Sequence, residues 1–107
     1  MTAPDRHPAD VVAERVLAVP AVARLDGGAV GQVATYLPGR RVNGVSWRDE
    51  VCEVSVVLRL SGGPDQRPLP ELAEQVRQAV APVAEGRRVD VVVADVVTPD
   101  EVSELLP

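Results

Sequence analysis

The stretch that decides the fold runs from Val51 to Val97 and contains VCEVSVVLRL at 51–60, ELAEQVRQAV at 71–80 and VDVVVADVV at 89–97. The two valine-rich segments are typical of β-strands, and the segment between them has the apolar spacing of an amphipathic helix. This order of strand, helix and strand predicts a packed α+β core. The stretch offers almost no side chains that could carry out chemistry.

Residues 51–60 alternate between two kinds of side chain. One face of the strand would be buried, with Cys52, Val54, Val56, Leu58 and Leu60. The other face would be exposed to solvent, with Glu53, Ser55, Val57 and Arg59. The preceding segment VNGVSWR at 42–48 also alternates, so that Asn43, Val45 and Trp47 would share one side, and residues 48–50 can turn the chain back. The two segments are therefore predicted to form an antiparallel hairpin.

Two helices are predicted from the apolar spacing. In residues 9–19, Val12, Val16 and Val19 recur on one helical face, Ala13 and Leu17 widen it, and Pro20 ends the helix. The second helix starts near residues 68–70 and has the apolar stripe Leu69, Leu72, Val76, Val80 and Val83. Pro82 lacks a backbone donor, so this helix should kink or loosen near its end.

The sequence as a whole predicts one α+β domain with two helices on one face of a three- to four-stranded mixed sheet, in the order α-β-β-α-β. Residues 1–8 are interpreted as a loose tail, residues 9–97 as the domain and residues 98–107 as a short C-terminal helix. AVARL at 21–25 fits a short strand. The segment 30–41 fits either a strand or a helical turn before Pro38 and Gly39.

The composition narrows the class of protein. The chain has 107 residues and a net charge of −5. An acidic protein of this kind is not expected to bind bare nucleic acid, because phosphates require a basic surface. Every basic residue is arginine, and the bias to Val, Ala and Leu is typical of a GC-rich bacterial genome. The single cysteine fits a reducing cytosol, and no apolar run suggests a membrane span or a signal peptide. We therefore expect a cytoplasmic protein.

The candidates for chemistry are few. His7 is the only histidine and falls in the predicted tail, while Cys52 falls on the predicted buried face, where its thiol would be unactivated. One cysteine and one histidine cannot build a structural zinc site. Asp90 and Asp95 would lie on opposite faces of the last strand by parity, which prevents a carboxylate pair. We expect no catalytic residue, no cofactor and no metal.

Two surfaces are candidates for binding instead. The first is an interaction surface for self-association, on the exposed sheet face or on the polar face of the second helix, with Glu53, Ser55, Val57, Arg59, Glu74 and Arg77. The alternative is a nucleic-acid contact through the G-x-x-G pattern of Gly28 and Gly31 together with Arg40 and Arg41. The pattern follows a predicted strand and an aspartate, whereas a KH loop is basic and joins two helices, so this context argues against nucleic acid as a partner.

The segments VLAVPAVARL at 16–25, VGQVATYLPGRRVNGV at 30–45, VCEVSVVLRL at 51–60 and LPELAEQVRQAVAPVAEGRRVDVVVADV at 69–96 resemble the alkaline shock protein family of Gram-positive envelope-stress proteins. The resemblance covers residues 9–97, and the loop SGGPDQRP at 61–68 departs from the short Tyr-Gly turn of that family. It implies a non-enzymatic protein of cell-envelope homeostasis. Such a protein acts on the cytoplasmic side of the membrane, associates with itself and is tethered by a membrane-anchored protein partner. The order of elements also resembles ring-building modules of secretion and sporulation assemblies.

Overall fold

The computed structural model describes residues 6–28 and 31–99. In chain order the elements are the helix α1 (Pro8–Leu17), the strands β1 (Val22–Leu25), β2 (Ala34–Leu37), β3 (Arg40–Asn43), β4 (Val45–Trp47) and β5 (Val51–Arg59), the helix α2 (Leu69–Val80) with a 3-10 helix (Ala81–Val83), and the strand β6 (Arg88–Val97). Residues 100–107 of the predicted C-terminal helix and residues 1–5 of the predicted tail lie outside the described residues.

The long strand β5 lies at the centre of the main sheet. On one side it pairs antiparallel with β4 through its first half and with β1 through its second half. On its other side it pairs parallel with β6 along its whole length. The sheet is therefore mixed, as predicted, and the hairpin of β4 and β5 is confirmed by the alignment of Trp47 with Cys52 and of Val45 with Val54.

Both helices pack on one face of this sheet. Val12 and Val16 of α1 and Val76 and Val80 of α2 are fully buried in the same cluster as the inner side chains of β5. Burial of one such valine stabilises the fold by about 1.5–3 kcal/mol relative to an exposed position. The predicted inner face of β5 is confirmed, because Cys52, Val54, Val56 and Leu58 are all completely buried.

The start of α1 is fixed by a side chain that we placed in the loose tail. His7 is the N-cap: its Nδ1 accepts a hydrogen bond from the backbone N–H of Ala9 at 3.0 Å. Its own N–H donates to Asp10 Oδ2 at 2.8 Å, so two backbone donors of the helix start are satisfied. Pro8 occupies the first helical turn, where its missing donor costs nothing.

The helix ends earlier than predicted. It stops at Leu17, and the side chain of Leu17 is 53% exposed, so the expectation that Leu17 widens the buried face is wrong. Val19 lies beyond the helix and is still buried, because the chain turns there towards β1. In α2 the helix gives way to the 3-10 turn at Ala81–Val83, which is the loosening that we expected from Pro82.

The alternation of residues 42–48 had predicted one strand, and this prediction is wrong, because the segment is divided between two strands. Gly44 has φ of 82° and separates β3 from β4. A Cβ built at this position would lie 2.7 Å from Cβ of Leu25, which leaves no space for a side chain. As a result Asn43 is exposed and does not share a side with Val45 and Trp47.

The segment 30–41, which we left open, contains a strand. β2 and β3 form a separate two-stranded antiparallel sheet around Pro38 and Gly39. Thr35 ties this hairpin to the main sheet, since its hydroxyl donates to the carbonyl of Val45 at 2.6 Å and accepts from the N–H of Trp47 at 3.0 Å.

Candidate functional site

The outer face of the main sheet is the face opposite the helices, and it includes four of the six residues of the predicted interaction surface. Its residues align across the strands in the rows Ser46–Glu53–Asp90, Ser55–Val92, Arg24–Val57–Asp95 and Arg59–Val97. Charges of both signs therefore surround the valines. Val92 is the exposed large apolar side chain of this face, at 41%.

Two of the predicted surface residues are buried. Ser55 is 4% exposed and Val57 is 0% exposed, so neither is available to a partner. The alternation of β5 predicted a solvent-exposed face, but β5 is the central strand. Val57 lies between Arg24 of β1 and Asp95 of β6, and Ser55 lies between Val92 of β6 and the backbone of Asp26 and Gly44. The expectation that Ser55 and Val57 are exposed is therefore wrong.

Glu53 and Arg59 remain accessible at least in part, and each is engaged within the chain. Arg48 Nη2 donates to Glu53 Oε1 at 2.9 Å, and Arg59 Nη1 donates to the carbonyl of Pro20 at 2.9 Å. Exposed pairs of this kind stabilise a fold by less than about 1 kcal/mol, so they can exchange for contacts with another molecule. Their role in association stays a prediction.

The polar face of α2 carries the other part of the predicted surface. Arg77 Nε donates to Glu74 Oε1 at 2.8 Å, and both side chains are 45% exposed. The hydrogen bond from Arg77 lowers the pKa of Glu74 to about 2, with a smaller contribution from Gln78. The pair is therefore ionised at neutral pH and faces solvent, and its role in association also stays a prediction.

The G-x-x-G segment lies between β1 and β2 and does not join two helices. Gly28 and Gly31 both have positive φ, of 84° and 71°, and the N–H of Gly31 donates to the carbonyl of Gly28 at 3.2 Å. A Cβ at Gly31 would lie 3.4 Å from Nη1 of Arg41, so these two residues of the alternative site do come together.

Arg40 does not join that group. Its Nη1 and Nη2 donate to the two carboxylate oxygens of Asp10, both at 2.9 Å. This bidentate pair, strengthened by the N–H of His7, lowers the pKa of Asp10 to about 2. Arg40 thus fastens β3 to the start of α1, and its charge is already neutralised by a carboxylate.

The sequence predicted the strand β6 at 89–97 but not its position at the side of the sheet. This strand has ten residues and pairs with β5 on one edge, and among residues 6–28 and 31–99 no strand pairs with its other edge. We call this second side the open edge of β6. The N–H of Arg88 donates to the carbonyl of Glu50 and so points to β5. Because peptide directions alternate along a strand, Val89, Val91 and Val93 direct their N–H and C=O groups to the open edge.

The two aspartates of β6 lie on the same face, which corrects the parity argument. Asp90 aligns with Glu53, Val93 with Val56 and Asp95 with Val57, so Ala94 is an extra residue in β6. Such a bulge shifts all later residues by one position and returns Asp95 to the outer face. Arg88 binds Asp90 through Nε at 3.0 Å, and both side chains are exposed.

Trp47, the aromatic residue at the end of β4, lies in a cluster with Arg87 and His7. The guanidinium carbon of Arg87 lies 4.0 Å from the ring centroid of Trp47, in cation–π geometry. The ring of His7 meets Trp47 edge-on, with centroids 6.3 Å apart. Trp47 is packed against the hydrophobic core, and the cluster connects the helix start to the sheet.

The residues considered for catalysis are placed as structural residues. Cys52 is completely buried, and burial raises the pKa of its thiol to about 11 in spite of the nearby charge of Arg87. At neutral pH the thiol is protonated and shielded from solvent. Within the described ranges no group of three or more His, Cys, Asp or Glu side chains could hold a metal ion.

The chain was compared with known families, proteins and structures. No protein-family model, no curated protein and no solved structure matches the chain. The described helices, α1 and α2 included, are not long and apolar enough to cross a membrane. The resemblance to the alkaline shock protein family therefore stays a prediction from the sequence.

Proposed function

We propose that the chain is a non-enzymatic interaction module that associates with copies of itself. The observation that carries this proposal is the open edge of the ten-residue strand β6. An unpaired strand edge presents a row of N–H and C=O groups, and pairing with another strand satisfies them. The mixed charges of the outer face, with Arg88, Asp90 and Asp95 on β6, suit contact between identical surfaces.

The cellular setting of the proposal comes from the resemblance to the alkaline shock protein family. In this proposal the module works in cell-envelope homeostasis, in the cytoplasm, and a membrane-anchored protein partner holds it at the inner face of the membrane. The net charge of −5 supports a protein partner over direct binding to anionic lipid, because acidic surfaces are repelled by such membranes.

Light scattering of the purified chain tests self-association. We expect a mass above the 11.3 kDa of one chain that rises with concentration. A mass of one chain up to millimolar concentration at low salt would contradict the proposal. The alternative, an RNA-associated KH-like module, predicts filter binding of RNA that weakens steeply with salt.

Fractionation of the native bacterium after crosslinking tests the setting. Recovery with the membranes, in crosslinks that contain both a second copy and one integral membrane protein, supports tethering. If the chain stays with the cytosol after gentle lysis, the membrane-partner part of the proposal is wrong. A cytosolic complex that RNase dissolves would favour the RNA-associated alternative.

A further inference from the structure

We infer that two copies of the chain pair through the open edge of β6, as antiparallel strands related by a twofold axis at Val91. The inference rests on the proposed self-association and specifies its surface, orientation and register. The partner is a second copy of this chain.

The backbone of β6 fits such a pairing. The hydrogen bond from the N–H of Arg88 to the carbonyl of Glu50 shows that Arg88 faces β5. The peptide groups of Val89, Val91 and Val93 therefore face the open edge. In an antiparallel ladder, directly opposed residues of this kind exchange both of their hydrogen bonds. With the axis at Val91, Val91 pairs with Val91 of the second copy, and Val89 pairs with Val93 of the second copy.

The side chains of the outer face fit the same register. Opposed residues of an antiparallel pair lie on the same face of the sheet, and the bulge at Ala94 places Asp95 on the outer face together with Arg88. When the axis is at Val91 and Ala94 is left out of the new ladder, as it is in the pairing with β5, Arg88 lies opposite Asp95 of the second copy. Symmetry repeats this contact at the other end, so opposite charges meet at both ends of the interface.

Neighbouring registers bring like charges together. An axis at Asp90 places this carboxylate opposite Asp90 of the second copy. An axis at Val92 places Asp90 opposite Asp95 of the second copy, at both ends. Like charges directly opposed destabilise a strand pair. Among these three registers, the charges of β6 therefore favour the one in which Arg88 and Asp95 meet, and Val92 then lies opposite Asp90 of the second copy.

Charge reversal tests the inference. The variants are Arg88→Asp, Asp95→Arg and the double variant with both changes, and the readout is the dimer dissociation constant from sedimentation at low salt. Each single variant turns two attractive contacts into two repulsive ones, so we expect the dissociation constant to rise by about tenfold or more. In the double variant the opposed charges are complementary again, and the dissociation constant should return close to that of the unmodified chain.

Matched variants separate the interface from the fold. Arg77→Asp reverses a charge of the exposed ion pair on α2, the other candidate surface, and pairing through β6 requires that it leave the dissociation constant unchanged. Val91→Pro removes a donor that points to the open edge, while the donors of β6 that bond to β5 stay in place. We expect this variant to be folded by circular dichroism and to lose association.

The outcomes distinguish the inference from the proposed function. If the chain associates and the reversals at Arg88 and Asp95 change nothing, pairing through β6 is wrong and self-association stands. If Arg77→Asp weakens association and the reversals at Arg88 and Asp95 do not, the surface is on α2 and the inference is overturned. If the unmodified chain is a monomer at every concentration, both the inference and the proposed self-association fail.

Discussion

Asp95 of β6 lies beside Val57 of β5 on the outer face, one residue later along β6 than an uninterrupted ladder would place it. The other neighbour of Val57 shows the same feature, because Val22 aligns with Leu58 and Arg24 with Val57, so that Ala23 is extra in β1. Both strands that flank β5 therefore carry a bulge at the level of Val57. The two bulges bring charged residues to either side of a valine that is completely buried.

The burial of Val57 predicts that it contributes to stability and not to binding. Val57→Ala removes two methyl groups from a closed site, and we expect a loss of about 2 kcal/mol in the free energy of unfolding. Urea denaturation followed by circular dichroism measures this loss. The matched control is Val92→Ala on the same face, where the side chain is 41% exposed and the loss should stay below about 1 kcal/mol. Equal losses in the two variants would contradict the burial of Val57.

Gly44 should be the least replaceable glycine of the described turns. Its φ of 82° costs another residue about 1–2 kcal/mol, and a Cβ there would lie 2.7 Å from Cβ of Leu25. We expect Gly44→Ala to lower the unfolding free energy by about 3 kcal/mol or more, measured by urea denaturation. Gly39→Ala is the control, since Gly39 has φ of 74° and no atom within 4 Å of the added methyl group. A control loss as large as that of Gly44→Ala would rule out the steric contribution.

Much of the fold follows from local patterns. The inner face of β5, the buried valines of α1 and α2 and the hairpin of β4 and β5 are read correctly, because each depends on spacing within one segment. The break at Gly44 is different. The alternation of VNGVSWR continues across the glycine, and the need for positive φ arises from the approach of Leu25, which is distant in the sequence.

The candidate surface depends on which strands are neighbours. Ser55 and Val57 have the spacing of exposed residues, and their burial follows from the central place of β5 between β1 and β6. The face of Asp95 depends on a bulge, which exists only relative to a partner strand. The open edge of β6 likewise depends on the order of the strands in the sheet. No pattern within residues 88–97 distinguishes a central strand from an edge strand.

The ion pair of Arg40 and Asp10 should be visible in the pH dependence of stability. Asp10 has its pKa lowered from 3.8 to about 2, first by the hydrogen bond from Arg40 and then by the N–H of His7. A carboxylate with a lowered pKa in the folded state stabilises the protein above its unfolded pKa, and this stabilisation is lost as the pH falls towards 2. The unmodified chain should therefore lose stability between about pH 4 and pH 2 through this group.

Arg40→Gln tests that assignment. We expect the variant to be less stable at pH 7 by up to about 1 kcal/mol, with a difference from the unmodified chain that shrinks as the pH is lowered to 2. Denaturation curves from pH 2 to pH 7 measure the difference. Arg41→Gln is the control, because it removes the same charge from the next residue of β3, on the opposite face of that strand. A difference for Arg40→Gln that stays constant down to pH 2 would show that Asp10 is not the titrating partner.

Cys52 should report on unfolding because its thiol is both buried and protonated. The side chain is completely buried on the inner face, and its pKa is raised to about 11. Since the thiolate is the reactive form, we expect an aromatic disulfide reagent at pH 8 to leave the folded chain unmodified, and to modify one thiol per chain once urea unfolds it. The labelling rate at intermediate urea should follow the unfolded fraction. Val92→Cys places a second thiol on the outer face as a positive control, and this thiol should react rapidly in the folded chain. Rapid modification of Cys52 itself without urea would mean that the helices open readily from the sheet, and the packed inner face described above would then be wrong.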